Sequence, residues 1–383
     1  MSSARTIWLC PDQIFDGQKL RTDVALSVED GRTGKIAPLS DLPGDAHQVQ
    51  LRGTLSPGFL DLQVNGGGGT LFNADPTPKG LKRMIAAHHG LGTVGILATV
   101  ITDAPEILER AVGAVLAAKD TSGLLGIHIE GPHISLERRG THAPEHVRPM
   151  GPDTIALVAQ MRNAGLPVMI TVAPEAVTHA QVSSLSEMGA VVSLGHTNAD
   201  AETCDAALSA GASCFTHLFN AMSPMANRAP GATGAAIAST AHAGFICDGI
   251  HVSDTMLEIA IRARPEPDRM FLVSDAMATV GGPDRFELYG MEIRLCDGRL
   301  VNAEGSLAGA HTTMAEGVAR LVNVLNVSAE QAFRMAVTIP SGVMDLGLDR
   351  IDGRDLEDII LLDERLAFAD RQPLAYLPGT VAG

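Results

Sequence analysis

Eight apolar runs of strand length recur along the middle of this chain, and each ends in a polar group or passes quickly to one. They occupy residues 58–62, 95–100, 124–127, 167–172, 190–194, 212–215, 244–247 and 270–273. The polar groups that follow are, in order, Gln63, Thr102, His128 with Glu130, Glu175, His196, His217, Asp248 with His251, and Asp275. Helix-patterned segments alternate with the runs, at 78–89, 105–118, 153–164, 178–188, 200–210 and 253–263. Such alternation predicts a parallel sheet with helical crossovers. In a (β/α)8 barrel the active site is assembled at the C-terminal ends of the strands, where these polar residues would converge. An open doubly wound sheet also places ligands at strand ends, but it has no need of chemistry on so many strands. The reading is therefore α/β, a (β/α)8 TIM-like barrel over residues 54–339.

The two ends of the chain read differently. Near the start, the run 24–28 is followed by Glu29-Asp30-Gly31, a hairpin signal, and by a second short apolar piece at Lys35-Ile36. After Asp275 come a strand-rich excursion at 284–303 and helical patterns near 312–325 and 328–337. The segment 359–363 returns to a buried-strand pattern. The expectation is a small β-sandwich domain in which segments 1–53 and 340–383 pair.

At 383 residues the chain can bury one large core and a small accessory domain. Apolar residues make up 45% and charged residues 19%, an ordinary globular balance, while 3% aromatics and 40 glycines suit tightly packed small side chains. The formal net charge of −16 repels nucleic acid and anionic membranes, so neither is an expected partner. An anionic small substrate would need a local cluster of positive groups. The five cysteines, Cys10, Cys204, Cys214, Cys247 and Cys296, are scattered without CxxC spacing, which points to a reducing compartment rather than a disulfide framework. No signal-peptide pattern or membrane-length apolar run is present, and a cytoplasmic location is expected.

With strand period two, His128 and Glu130 project to the same side of the third strand, Glu130 at its tip. His196 ends the fifth strand and His217 the sixth. One carboxylate and two imidazoles from neighbouring strands suit a borderline ion such as zinc, and three protein ligands leave a position for water. A lone strand-end histidine is more often just a hydrogen-bonded group; joint placement on strands three, five and six is what favours a metal. Asp275 ends strand eight, where a carboxylate can take a proton from an activated water and return it to a leaving amine. The plainer role for Asp275 is to cap the following turn.

Several motifs in order carry a resemblance: Pro57-Gly58-Phe59-Leu60-Asp61, Gly126-Ile127-His128-Ile129-Glu130-Gly131-Pro132, Gly140-Thr141-His142 and Ser193-Leu194-Gly195-His196-Thr197. They continue with Thr216-His217-Leu218-Phe219-Asn220-Ala221-Met222, Asp248-Gly249-Ile250-His251 and Ser274-Asp275-Ala276. Over nearly its whole length the chain resembles the N-acetylglucosamine-6-phosphate deacetylases of the amidohydrolase superfamily. The resemblance implies hydrolysis of N-acetyl-D-glucosamine 6-phosphate to D-glucosamine 6-phosphate and acetate. It implies Glu130, His196 and His217 as metal ligands, Asp275 as catalytic acid and base, and His142 as a group that binds substrate and polarises its amide. Asn220 and Ala221 correspond to sugar and phosphate contacts, Arg228 and His251 to phosphate contacts, and Leu307-Ala308-Gly309 to a main-chain substrate contact. In this family the phosphate contacts come partly from the neighbouring subunit, which implies a homodimer with a shared phosphate site.

Many amidohydrolases carry His-x-His at the end of strand one and hold two metals; here the position reads Gln63-Val64-Asn65. Amide oxygens are poor zinc ligands beside imidazoles, so the second-metal position is expected to be vacant. The expectation is one divalent ion per subunit, zinc first among several that would fit. His311 stands where relatives carry a small hydroxyl residue. Two rivals stay open: a deacetylase of another N-acyl amino-sugar phosphate such as the galacto epimer, and a non-catalytic barrel that binds phosphosugars.

Overall fold

The computed structural model describes residues 6–302 and 307–368. Its centre is an eight-stranded parallel sheet in which neighbours in space are neighbours in sequence. The strands are Phe59–Val64, Thr93–Ile101, Leu124–Glu130, Val168–Val172, Val191–Leu194, Cys214–Phe215, His242–Phe245 and Met270–Leu272, called here barrel strands one to eight. The first strand meets the last: Val64 pairs in parallel with Ala276, and the N–H groups of Asn65 and Gly66 both donate to the Ala276 carbonyl at 2.9 Å. That closure decides for a barrel over an open sheet. Strands one, two and four are buried at every residue, as expected of parallel strands covered on one face by helices and on the other by the barrel interior.

Some of the helices begin where a short polar side chain satisfies a free N–H group of the first turn. Thr77 accepts from Gly80 N ahead of Pro78–His89, and Asp200 from Thr203 N ahead of Ala201–Ser209. Thr178 with Gln181 and Thr313 with Glu316 form full capping boxes. The helical pattern expected at 328–337 is Ala329–Phe333, continued through a π-helical turn at Arg334–Thr338 into Ile339–Val343.

Two four-stranded sheets are built from the terminal regions. One orders Arg32–Pro38, Val24–Glu29, Ile7–Cys10 and His47–Gln50, and includes the hairpin around Asp30-Gly31. The other orders Ile359–Leu362, Thr54–Pro57, Gln13–Phe15 and Leu20–Arg21. The two terminal segments thus meet across Thr54–Pro57, which stands between them in the second sheet. Leu9, Ile14, Leu26, Leu55, Ile359 and Leu361 form their common apolar core. Phe333 stacks on Phe15 at 5.2 Å and on Phe59 at 6.4 Å, tying these sheets to the N-terminal end of the barrel.

The excursion after strand eight is a three-stranded antiparallel meander, Arg285–Leu288, Met291–Cys296 and Arg299–Val301. Its Leu288, Ile293 and Leu300 pack on Leu71, Ile101 and Met277, at the rim where the strands end. Residues 369–383 of the expected C-terminal segment, the first five residues and residue 303 of the excursion lie outside the described residues. Among the described residues no helix is long and apolar enough to cross a membrane, and the five cysteines are unpaired, four of them buried.

Candidate active site

A cavity of about 190 Å³ opens at the C-terminal ends of the strands, lined by residues that end or follow every strand but the fourth. Asn65 follows strand one, Ile101 ends strand two, and Glu130 ends strand three. Gly140, Thr141 and His142 come from the loop after it. His196 follows strand five, and His217, Asn220 and Ala221 follow strand six. His251 lies after strand seven and Asp275 after strand eight, with Met277, Leu307 and Gly309 completing the wall. His196, His217, Ala221 and Asp275 all hold positive φ, at 47°, 31°, 52° and 52°. Side chains with a Cβ seldom adopt that backbone, and such strain concentrates where a function over-determines it.

Three donor atoms converge within this cavity. His217 Nε2 lies 2.9 Å from Glu130 Oε1, His196 Nε2 lies 3.1 Å from the same oxygen, and the two ring nitrogens are 3.1 Å apart. The three side chains are nearly inaccessible, at 3–7% exposure. His196 Nδ1 sits 2.9 Å from the Arg138 carbonyl. A carbonyl can only accept, so Nδ1 carries the hydrogen and Nε2 presents a lone pair to the meeting point. This is the outer bond that orients a metal-ligating imidazole, and the donor set fits a divalent ion. A second triple, Glu130, His142 and His196, brings donor atoms within 4.8 Å of one another. His142, however, engages Thr102 Oγ1 through Nδ1 at 2.7 Å, whereas His217 touches both other groups directly. The Glu130–His196–His217 set is the tighter.

Electrostatics follow from burial and these contacts. Burial alone would raise Glu130, but its contacts with His196 and His217 outweigh burial and hold the carboxyl well below its usual range. Burial would lower His217, yet its bond to Glu130 raises it on balance. Burial, assisted by His196, pushes His142 down to about 3, so that ring is neutral at pH 7. Asp275 is pushed up to about 6, first by burial and then by the Glu130 charge.

Gln63 and Asn65 stand beside these groups as donors. Gln63 Nε2 reaches both Glu130 oxygens at 3.1 Å and Asp275 Oδ1 at 3.2 Å, and Asn65 Nδ2 reaches Asp275 Oδ1 at 2.6 Å. Asp275 is anchored from below as well. Ser274 donates its N–H and its hydroxyl to the fully buried Asp61, and Ser274 Oγ accepts from Ala276 N at 3.1 Å. Burial pushes Asp61 up to about 7.

After strand seven, His251 binds Asp248 Oδ2 through Nδ1 at 2.6 Å, and Asp248 also caps the N–H groups of Ile250 and His251. Burial would lower His251, but the Asp248 carboxylate raises it on balance. Arg228 does not line the cavity; it lies on the loop 224–230, exposed at every residue. Leu307 and Gly309 line the wall, while Ala308 is buried beside them with its N–H donated to the Leu300 carbonyl at 3.0 Å.

Not every strand-end polar residue reaches the cavity. His128 lies beneath it, bonded to Thr171 Oγ1 at 2.7 Å inside the barrel. Glu175 holds Thr197 and the Asn198 N–H. Thr102 braces His142, and its carbonyl accepts from Tyr289 of the meander. His311 bonds Thr279 through Nδ1 at 2.9 Å, outside the cavity lining. Sequence reasoning missed Ile101, Met277 and the Asp61–Ser274 anchor. Only the position of Asp61 two residues before Gln63 could have flagged the last.

No family model matches the chain. Curated relatives do. The chain is 38% identical to the N-acetylgalactosamine-6-phosphate deacetylase of Shewanella sp. strain ANA-3, covering 93% of each chain. It is 31% identical to the N-acetylglucosamine-6-phosphate deacetylase of Haemophilus influenzae, covering 88% of each. Among solved structures, the N-acetylglucosamine-6-phosphate deacetylase of Pasteurella multocida superposes with a TM-score of 0.88 at 30% identity, over 95% of this chain and 97% of that one. An aspartate-to-alanine mutant of the Mycobacterium smegmatis deacetylase, in complex with N-acetyl-D-glucosamine 6-phosphate, superposes with a TM-score of 0.86 at 29% identity, over 96% and 97%. The chain belongs to the N-acetylglucosamine-6-phosphate deacetylase family.

Proposed function

We propose that this chain hydrolyses N-acetyl-D-glucosamine 6-phosphate to D-glucosamine 6-phosphate and acetate, with Glu130, His196 and His217 holding one divalent ion and Asp275 serving as base and acid. The observation that carries this reading is the meeting of Glu130 Oε1, His196 Nε2 and His217 Nε2 within 3.1 Å of one another beside Asp275. Zinc suits a carboxylate-plus-imidazole set. Gln63 and Asn65 present amide N–H groups where a second cation would need ligands. When bound, the ion would supply Lewis-acid charge that lowers the pKa of water and steadies negative charge on the amide oxygen.

Asp275 takes the proton of the attacking water and later delivers it to the departing amine, so the same carboxyl serves both steps. Thr102 Oγ1 holds His142 Nδ1 at 2.7 Å, and in the tautomer protonated at Nε2 that ring donates to the amide oxygen. His251, Asn220 and the Ala221 backbone take the sugar and its phosphate, and main chain at Leu307 and Gly309 flanks the ring. Arg228 is exposed on a loop and does not line its own cavity, which supports a homodimer whose partner receives that guanidinium. A phosphorylated sugar does not cross membranes unaided, so the cytoplasm is the place for this reaction.

The identity to a galactosamine-type relative, higher than that to the glucosamine-type one, favours N-acetyl-D-galactosamine 6-phosphate as a second reading. Acetate release is to be measured side by side on both epimers and on the unphosphorylated sugar, with metal quantified in the same sample. Release from the gluco 6-phosphate at a higher kcat/KM supports the first reading, and the reverse order supports the second. No release from any of them with metal bound would leave a phosphosugar-binding barrel.

A further inference from the structure

Apolar side chains line the cavity beside its polar groups, and two of them, Ile101 and Met277, are 4% and 1% exposed. Both belong to the apolar cluster that includes Leu71, Leu288 and Ile293, so the three-stranded meander backs them. Each is also held in place. Asn73 accepts from Ile101 N and donates to its carbonyl, both at 3.0 Å. Met277 fills the space left by the missing side chain of Gly309, where a Cβ would come within 2.5 Å of Met277 Cγ, at a φ of +70°. Two side chains pinned in this way make a wall of fixed position rather than an adaptable surface.

Substrate chemistry says what meets that wall. In a hexosamine 6-phosphate, C2 and C5 are opposite corners of the pyranose ring. The amide on C2 and the phosphate on C6 therefore point in opposite directions. With the phosphate among the groups after strands six and seven and the amide at the three donor atoms, the acyl methyl is carried across the cavity toward the ends of strands one and two, where Met277 packs with Leu71 and Ile101. Ile101 and Met277 line that side. We propose that Ile101 and Met277 are the specificity-determining residues for the acyl group, restricting the enzyme to short acyl chains. This rests on the N-acyl amino-sugar 6-phosphate reading above.

The test uses full-length, metal-loaded enzyme with the N-acetyl, N-propionyl and N-butyryl forms of the preferred hexosamine 6-phosphate, following liberated amine. The wild type is expected to lose roughly tenfold or more in kcat/KM for each added methylene, the scale on which a closed apolar pocket discriminates one carbon. Ile101→Ala and Met277→Ala are each expected to raise the butyryl-to-acetyl ratio of kcat/KM at least tenfold, with the milder Ile101→Val moving it in the same direction. Because the readout is a ratio within one preparation, partial loss of folded protein cancels. A wild type that accepts butyryl within about threefold of acetyl would overturn the wall, as would variants whose ratio is unchanged; the deacetylase reading would survive either result. A wild type inert toward the acetyl substrate would remove both.

Discussion

Asn65 donates its side-chain amide to Oδ1 of Asp275 at 2.6 Å, from the position after strand one where two-metal relatives place a histidine. Gln63 reaches the same oxygen at 3.2 Å. These donors favour the ionised carboxylate, opposing the burial and the Glu130 charge that raise it. Asn65→Leu removes one of them and also deletes an amide oxygen that is buried without a partner, so the fold should tolerate it. The acidic limb of the pH–kcat/KM profile is expected to move upward by roughly one unit, the worth of one hydrogen bond to a charged group. An unmoved limb would mean that Asn65 does not tune Asp275.

Asp275 must be ionised to accept a proton from water. In the wild type kcat/KM is therefore expected to fall as the pH drops through the Asp275 pKa, at or under about 6, because a bound cation pulls that value down. Asp275→Asn is expected to cost about 10²- to 10⁴-fold in kcat, the usual share of a general acid–base. It should also erase the limb, while metal content and phosphosugar binding by calorimetry persist. Near-normal turnover in this variant would refute the proposed mechanism.

The reach of the sequence can be judged residue by residue. Strands such as Thr93–Ile101 were legible because burial on both faces leaves an unbroken apolar run. Glu130, His196 and His217 were legible because each closes such a run. Thr54–Pro57 was harder: it too is apolar and buried, and only its partners, Ile359–Leu362 and Gln13–Phe15, assign it to a terminal sheet. Long-range pairing of that kind leaves no local mark. Glu175 and Thr102 looked like site residues because strand-end position is the only signal available, yet they bind backbone and neighbours instead. Gln63 and Asn65 read as poor ligands. Their positive role as donors depends on distances across the barrel that spacing along the chain does not encode.

Removal of the ion should be reversible and visible in stability. A ligand that binds only the folded chain stabilises it by RT ln(1 + [L]/Kd), about 4 kcal/mol at a thousandfold excess over Kd. Chelation is expected to abolish acetate release and lower Tm by several degrees, and stoichiometric zinc should restore both. A chain that binds two tight equivalents, or whose Tm ignores chelation, would contradict a single site at Glu130, His196 and His217.

Phe333 offers a test remote from the chemistry. Its ring is fully buried and stacks on Phe15 and Phe59, joining a terminal sheet to strand one. Phe333→Ala is expected to cost roughly 3–5 kcal/mol in urea unfolding with kcat little changed in the folded fraction. A loss below about 1 kcal/mol would show that the packing relaxes around the gap.

Arg228 separates a shared phosphate site from a self-contained one. The loop 224–230 carries it into solvent, away from the cavity of its own chain. Arg228→Ala should raise KM for the 6-phosphate by about tenfold or more, the loss of one charge-assisted contact, and leave the poor rate on the unphosphorylated sugar unchanged. Mixing gives the sharper result. In a heterodimer of Arg228→Ala and Asp275→Asn chains, one cavity has an intact Asp275 and receives an intact Arg228 from its partner, and the other has both defects. Random reassociation then returns roughly a quarter of the sites at low substrate, since half the dimers are mixed and each holds one good site. If Arg228 served its own chain instead, mixing would restore nothing, because each cavity would keep its own lesion whatever its partner carried.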